Sequence, residues 1–190
     1  EIINQLVAQN VAGIAIAAND ADALQPALTE AMDAGIKVIS LDSAVNKDSR
    51  QTHIQQADPE KIGRGLIQAA YEMVDGNGGI AVLSATAQAT NQNLWIEWMK
   101  KEIEENPEKY ANTPLVKVAY GDDDPTKSTS ETQALLTDSS IKVIIAPTTV
   151  GMLAAGKVLQ DKQSDVKLTG LGLPSEMAPF IEDGTCPWMY

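Results

Sequence analysis

The stretch SATAQATNQNLW, residues 84–95, decides the fold. The apolar run IAVL at 80–83 precedes it, and an amphipathic segment comes after it, with Leu94, Trp95, Trp98, Met99 and Ile103 on one side. An apolar strand, a loop of small hydroxylated residues and then a helix is the unit with which an α/β protein brings backbone amides and short polar side chains to a ligand. Asn91 and Gln92 lie in a loop, 91–93, where that unit opens. They are expected to face a cleft and to read a small polyhydroxylated molecule.

The same unit recurs on both sides of this stretch. Upstream, residues 1–10 read as the tail of a helix with Ile2, Ile3, Leu6 and Val7 on one face, running into an apolar strand at 13–18. Asn19, Asp20 and Asp22 then start a helix carrying Leu24, Leu28, Ala31 and Met32, which Gly35 stops. A strand at 37–41 ends at Asp42-Ser43, residues 44–51 are loop-like, and 53–56 form a short strand. Asp58-Pro59 supplies an N-cap with proline at the first helical position. The helix it opens turns Ile62, Leu66, Ile67, Ala70 and Met73 inward and ends near Gly76.

Downstream, residues 102–112 are charged and read as solvated. A strand spans 115–120, and Asp124-Pro125 repeats the cap device for a helix to about Leu136. A strand at 142–146 ends at Pro147-Thr148-Thr149, which opens an alanine-rich helix through Leu159. After the strand at 166–171, Ser175 reads as the cap of a short helix to Asp183, and GTCPWMY reads as the start of a new strand. Strand and helix alternate, and the strands are continuous apolar runs, the pattern of parallel sheets covered on both faces. Right-handed crossovers put every strand's C-terminal end on one edge. Asp42, the 91–93 segment, Thr148, Thr149 and Gly172 are therefore expected on cleft-side rims.

Bulk properties narrow the function classes. With 190 residues, 44% of them hydrophobic, the chain has enough apolar mass for one domain or two small ones. A formal charge of -12 offers no basic patch to neutralise phosphates, so no nucleic-acid partner is expected. No apolar run reaches bilayer-spanning length. The single cysteine, Cys186, excludes an internal disulfide and a thiolate cluster for a metal. Both ends read as trimmed from a longer chain.

Three enzyme-like motifs weaken on inspection. Asp122-Asp123-Asp124-Pro125-Thr126 spells the D-x-D-x-T of an aspartate-nucleophile phosphatase, yet Asp124-Pro125 is already explained as a helix start, and no later acidic pair comes after a strand to hold magnesium. The same run fails as a calcium loop, because Lys127 stands where glycine is needed and Gln133 where a bidentate glutamate is needed. Residues 151–158 spell G-x-x-x-x-G-K, but Val158 replaces the magnesium-binding hydroxyl and the intervening residues read as helix interior. His53, the only histidine, reads as structural rather than as a base. Trp95, Trp98 and Met99 recur at helical spacing and read as core, with Trp95 alone near enough to the loop for stacking. Asp42 at a strand end suits two charge-assisted hydrogen bonds from adjacent sugar hydroxyls, or else a turn.

Four runs carry a family resemblance: LDSAV at 41–45, SATAQATNQNLWIEWMK at 84–100, YGDDDPTKSTSETQALL at 120–136 and IIAPTTVGMLAAGKVL at 144–159. Together they resemble the sugar-binding proteins of bacterial ABC importers, above all the rhamnose binders and the binders of autoinducer-2. The resemblance implies a periplasmic-binding-protein-like α/β fold of two Rossmann-like lobes with parallel sheets, the first lobe incomplete. Residues 1–56 would be part of the N-terminal lobe, 57–184 the C-terminal lobe, and 185–190 the start of a returning hinge strand.

By motif, Asp42, Asn91, Gln92, Pro147, Thr148 and Thr149 would contact the ligand. Asn91-Gln92 matches the Asp-Gln pair of the autoinducer-2 binders with asparagine replacing aspartate, which exchanges an acceptor-only group for one with donors and favours a neutral deoxyhexose such as rhamnose. Gly172 stands where ribose binders carry an aspartate, so the pentose pattern is broken. The function implied is that of a solute-binding component without catalytic residues, cofactor or metal, a monomer that delivers its sugar to a membrane permease. Its place would be extracytoplasmic, in the periplasm or as a cell-surface lipoprotein. Two other readings stay open: the effector-binding core of a lac-repressor-type transcription regulator, and the magnesium-dependent phosphatase around Asp122 and Asp124.

Overall fold

The computed structural model describes residues 1–190. Its chain forms two compact units, one of residues 1–59 with 88–94 and the other of residues 60–87 with 95–190.

In the first unit, α1 (Ile2–Ala8) leads to β1 (Gly13–Ile16), α2 (Ala21–Asp33), β2 (Lys37–Leu41), a 3-10 turn at Lys47–Ser49 and β3 (Thr52–Ile54). The strands pair in parallel in the order β1-β2-β3. The Asp20 side chain caps α2 by accepting from Ala23 N–H at 3.0 Å, as its place before the apolar period requires. Leu28, Ala31, Ile36, Val38 and Val45 fill the core of this unit together with Ile3 and Ile14. Of the face expected on α1, Ile3 is buried, whereas Ile2 is 73% exposed. The apolar period is right for a helix, but only one of the adjacent isoleucines reaches the core.

The second unit holds most of α3 (Pro59–Met73), then β4 (Gly79–Ser84), most of α4 (Thr90–Glu105), β5 (Leu115–Tyr120), α5 (Pro125–Leu135), β6 (Ile141–Ala146), α6 (Thr149–Asp161), β7 (Lys167–Gly170) and α7 (Pro174–Glu182). Its four strands are parallel, in the order β5-β4-β6-β7. All six residues of β4 are buried, as a central strand with both faces covered demands. On one face Ile80, Val82, Val143 and Ile145 pack against Leu66 and Ile67 of α3 and Trp95 and Met99 of α4. On the other, Ala81, Leu83, Ile144 and Leu168 pack against Leu135 of α5, Met152 and Leu159 of α6 and Phe180 of α7.

Two glycines permit close approaches here. A Cβ on Gly63 would lie 2.5 Å from both the Trp95 carbonyl oxygen and Trp98 Cβ, so α3 and α4 pack backbone to backbone. Gly170, at φ +152°, has no room for a side chain, since a Cβ there would fall 1.9 Å from the Ala146 carbonyl oxygen.

Several expectations need correction. Helix α4 begins at Thr90, so Asn91 and Gln92 occupy its first turn rather than a loop. It also runs to Glu105, and the segment after it is not wholly solvated: Tyr110 is 2% exposed, and its hydroxyl donates to Glu102 at 3.4 Å. Burial, reinforced by the charge of Glu102, holds the Tyr110 phenol protonated well above the usual tyrosine range. Glu102 and Glu105, with Glu60, are gathered by the Arg64 guanidinium, whose hydrogen bonds to all three keep it firmly charged. The cap of α7 is Leu173 with Pro174 behind it, not Ser175. Residues 185–190 form no strand, although Thr185 O accepts from Leu168 N–H and Tyr190 N–H donates to Gly170 O, which lays this segment against β7. Trp95, 2% exposed, belongs to the core and offers no stacking platform.

Candidate functional site

Six non-glycine residues have positive φ: Asn10, Asp42, Asp75, Asp122, Asp123 and Gln163. Asn10, Asp75 and Gln163 each come just after the end of a helix, where a left-handed residue closes the last turn. The remaining three are aspartates, and each comes just after a strand: Asp42 after β2, Asp122 and Asp123 after β5. Asp122 and Asp123 are the central pair of a tight turn closed by Asp124 N–H donating to Gly121 O at 2.9 Å, whereas Asp42 takes a left-handed backbone in the bend after β2 and is the one at which function is to be sought.

In the first unit, Asp42 is the hub of a polar group. Its Oδ1 accepts from Gln56 Nε2 at 2.6 Å and from Asn91 Nδ2 at 3.2 Å. Both amides fall on the same oxygen, so Oδ2 stays available as an acceptor. Asn91 Oδ1 in turn accepts from Gln92 N–H at 2.8 Å, which orients its amide so that the donor end faces Asp42. Beside this pair, Thr90 Oγ1 donates to Ala44 O at 3.2 Å and lies 3.0 Å from the buried Ser43 Oγ. With the Thr90 proton committed to Ala44, Ser43 is the donor between the two hydroxyls. Gln92 is 7% exposed. The arrangement is a carboxylate acceptor next to amide donors, half-buried, with one carboxylate oxygen to spare. That is suited to hydrogen-bonding vicinal hydroxyls.

In the second unit the strand order reverses direction. Strand β5 lies on one side of β4 and β6 on the other, and such a reversal opens a crevice at the C-terminal ends of the two strands that flank it. Pro147, Thr148 and Thr149 emerge there from β6. Pro147 and Thr148 are buried and Thr149 is exposed. Thr148 is the N-cap of α6 by position, yet its hydroxyl makes no capping hydrogen bond. It donates instead to Asp123 Oδ1 at 2.5 Å. The Thr149 side chain borders a groove of about 290 Å³ at the N-terminal turns of α5, α6 and α7.

The sequence reading therefore selects two groups that the structure assembles separately: Asp42 and Asn91 in direct contact with Gln92 adjacent, and the contiguous Pro147, Thr148 and Thr149. It passes over Asp123, Gln56, Ser43 and Thr90. A signal for Asp123 does exist, since the run Asp122-Asp123-Asp124 holds three carboxylates where a helix start needs one. Asp124 caps α5 by accepting from Lys127 N–H at 2.7 Å, and Asp122 pairs with the Lys127 ammonium. Both carboxylates on which a phosphatase would depend are thus engaged locally.

The periplasmic binding protein domain model matches residues 1–190. The chain belongs to the periplasmic binding protein domain family. Among solved structures similar to this chain, an ABC transporter solute-binding protein from Clostridium phytofermentas with bound L-rhamnose is 52% identical, with a TM-score of 0.94 over 99% of this chain and 60% of that one. A sugar ABC transporter protein from Actinomyces odontolyticus is 42% identical, with a TM-score of 0.67 over 97% of this chain and 60% of that one. LsrB from Clostridium saccharobutylicum, in complex with AI-2, is 26% identical, with a TM-score of 0.89 over 97% of this chain and 60% of that one. The chain thus spans about three fifths of the length of these three proteins. The α/β architecture with parallel sheets is that of the family, and no helix is long and apolar enough to cross a membrane.

Proposed function

We propose that this periplasmic binding protein is the solute-binding component of an ABC importer and that it carries a monosaccharide of the L-rhamnose type. The observation that carries the reading is the hydrogen bond from Asn91 to Asp42. At the end of β2 it sets a half-buried carboxylate with a spare oxygen beside an amide donor, the chemistry that a neutral polyol requires. The 52% identity to a protein with bound L-rhamnose supports the choice of sugar. Asp42, Asn91 and Gln92, and the strand-end residues Pro147, Thr148 and Thr149, are assigned to ligand contact. The partner is a membrane permease, the protein works as an extracytoplasmic monomer, and it transforms nothing. Cofactor and metal have no part in this mechanism.

Titration calorimetry on the full-length protein tests the reading. L-rhamnose is expected to release heat with a single-site isotherm. Asp42→Ala should weaken binding about 10- to 150-fold, the equivalent of roughly 1.5–3 kcal/mol for a hydrogen bond to a charged group. Absence of heat with every deoxyhexose, pentose and AI-2 tried would overturn it.

A further inference from the structure

We infer that Asp123 is a ligand-selecting residue whose carboxylate, fixed by the Thr148 hydroxyl, accepts a hydrogen bond from one of the 2-, 3- and 4-hydroxyls of the bound sugar. The inference rests on the sugar-binding reading above and adds to it a residue that the motifs do not reveal. Asp123 bridges the ends of the two strands that flank the reversal of the sheet. Gly121 N–H donates to Ser84 O at 2.9 Å and Asp122 N–H to Ala85 O at 3.0 Å, which ties the segment after β5 to the exit of β4. The side chain of Asp123 then reaches Thr148 at the exit of β6.

One local stabilisation is set aside to hold it there. Asp122 and Asp123, at φ +53° and +52°, are the central pair of a tight turn closed by Asp124 N–H donating to Gly121 O at 2.9 Å, which fixes the backbone from which the Asp123 side chain projects. Thr148 turns its hydroxyl away from its own helix and forgoes a capping bond in order to donate to Asp123. Asp123 itself neither caps a helix nor pairs with a cation, since Asp124 and Asp122 take those tasks. Its Oδ1 is anchored and its Oδ2 is left to accept, on a side chain that is only partly buried.

Because a carboxylate is acceptor-only, a ligand must present a hydrogen at that point. An analogue that lacks the hydroxyl leaves a charge desolvated and unpaired, which is how a polar site rejects a near-isostere.

The test is a cycle between protein variants and sugar analogues, read by calorimetry on the full-length protein with L-rhamnose and its 2-, 3- and 4-deoxy derivatives. Asp123→Gly suits the left-handed backbone and removes the carboxylate, whereas Asp123→Asn keeps the shape and removes the charge. Melting temperatures without sugar establish that each variant is folded, and if the glycine variant is not, the asparagine variant decides alone. The expected result is a 10- to 150-fold loss of L-rhamnose affinity in Asp123→Gly, as for the loss of a charged hydrogen bond, roughly. Asp123→Asn should lose less. In the variants one of the three deoxy positions should stop mattering while the other two keep their penalties.

A folded variant that binds L-rhamnose like wild type, or one weakened with all three penalties intact, overturns the inference and leaves the sugar reading standing. Wild-type protein that binds none of these sugars overturns the sugar reading and the inference with it.

Discussion

Replacing Asn91 by aspartate turns the hydrogen bond at the end of β2 into a repulsion whose size is set by the geometry. Asn91 Nδ2 lies 3.2 Å from Asp42 Oδ1, and in Asn91→Asp an oxygen takes the place of that donor. Two unit charges at this distance repel by about 1.3 kcal/mol at the dielectric constant of water and by about 5 kcal/mol at an effective value of 20. Both residues are half-buried, so the cost lies between these limits. Loss of the hydrogen bond adds about 1 kcal/mol. Placing the new charge in the first turn of α4 returns about 0.3–1 kcal/mol through the helix dipole.

The net expectation for Asn91→Asp is a destabilisation of roughly 1.3–5.7 kcal/mol at neutral pH, or about 2–4 °C of melting temperature per kcal/mol. The sign of its pH dependence is fixed. The paired carboxylates hold a proton to higher pH in the folded state than in the unfolded chain, where aspartate titrates near 3.9, roughly. The deficit is therefore complete above the folded titration and closes as the pH falls toward about 4. Melting of sugar-free wild type and variant at about pH 7 and about pH 4 measures it. Equal gaps at the two pH values, or no gap at neutral pH, would refute the claim that Asn91 and Asp42 are in direct contact.

Two other substitution and titration experiments bear on the second unit. Gly63→Ala would gain about 1 kcal/mol from helix propensity alone, but the added Cβ meets the Trp95 carbonyl and Trp98 Cβ at 2.5 Å. Overpacking of about 1–3 kcal/mol should make the variant less stable in urea titrations, and a stabilised variant would show that α3 and α4 separate freely. Cys186 is fully buried, and burial pushes its thiol up to about 11. The native protein should resist thiol reagents near pH 8 until it is unfolded. Because the unfolded thiol ionises near 8.5, roughly, and the folded one does so later, stability should decline as the pH rises between those values. Rapid native labelling would contradict that burial.

The architecture was legible wherever a single local force decides. The β-branched runs KVISL and LVKVAY gave β2 and β5 to the residue, although both strands are only partly buried, because strand-forming residues bounded by turn signals decide the conformation locally. Asp20 and the Asp124-Pro125 pair marked helix starts, because capping depends on adjacent residues alone. Tyr110 and Ile2 were misjudged because their burial is set by partners far along the chain, which no window of sequence contains. Part of the candidate site was legible for the same local reason, since Asp42 and Asn91 both stand in segments that leave the C-terminal end of a strand. Asp123 was not, because the adjacent Asp124 supplied a sufficient reason for acid at that point. Only the direction of a threonine hydroxyl distinguishes the two neighbours.

The four-stranded sheet has two outer strands, and each is shielded differently. Along β7, residues 185–190 occupy backbone groups of Leu168 and Gly170 and cover the Thr169 hydroxyl, which donates to Trp188 O at 2.8 Å. Along β5, Lys117 is exposed, and the pairing with β4 is irregular between Ile80 and Ala81. A sheet with one margin occupied by its own chain and the other charged and out of step presents a poor template for a second molecule. Variants that loosen residues 185–190 should therefore uncover the β7 margin and associate more readily than wild type.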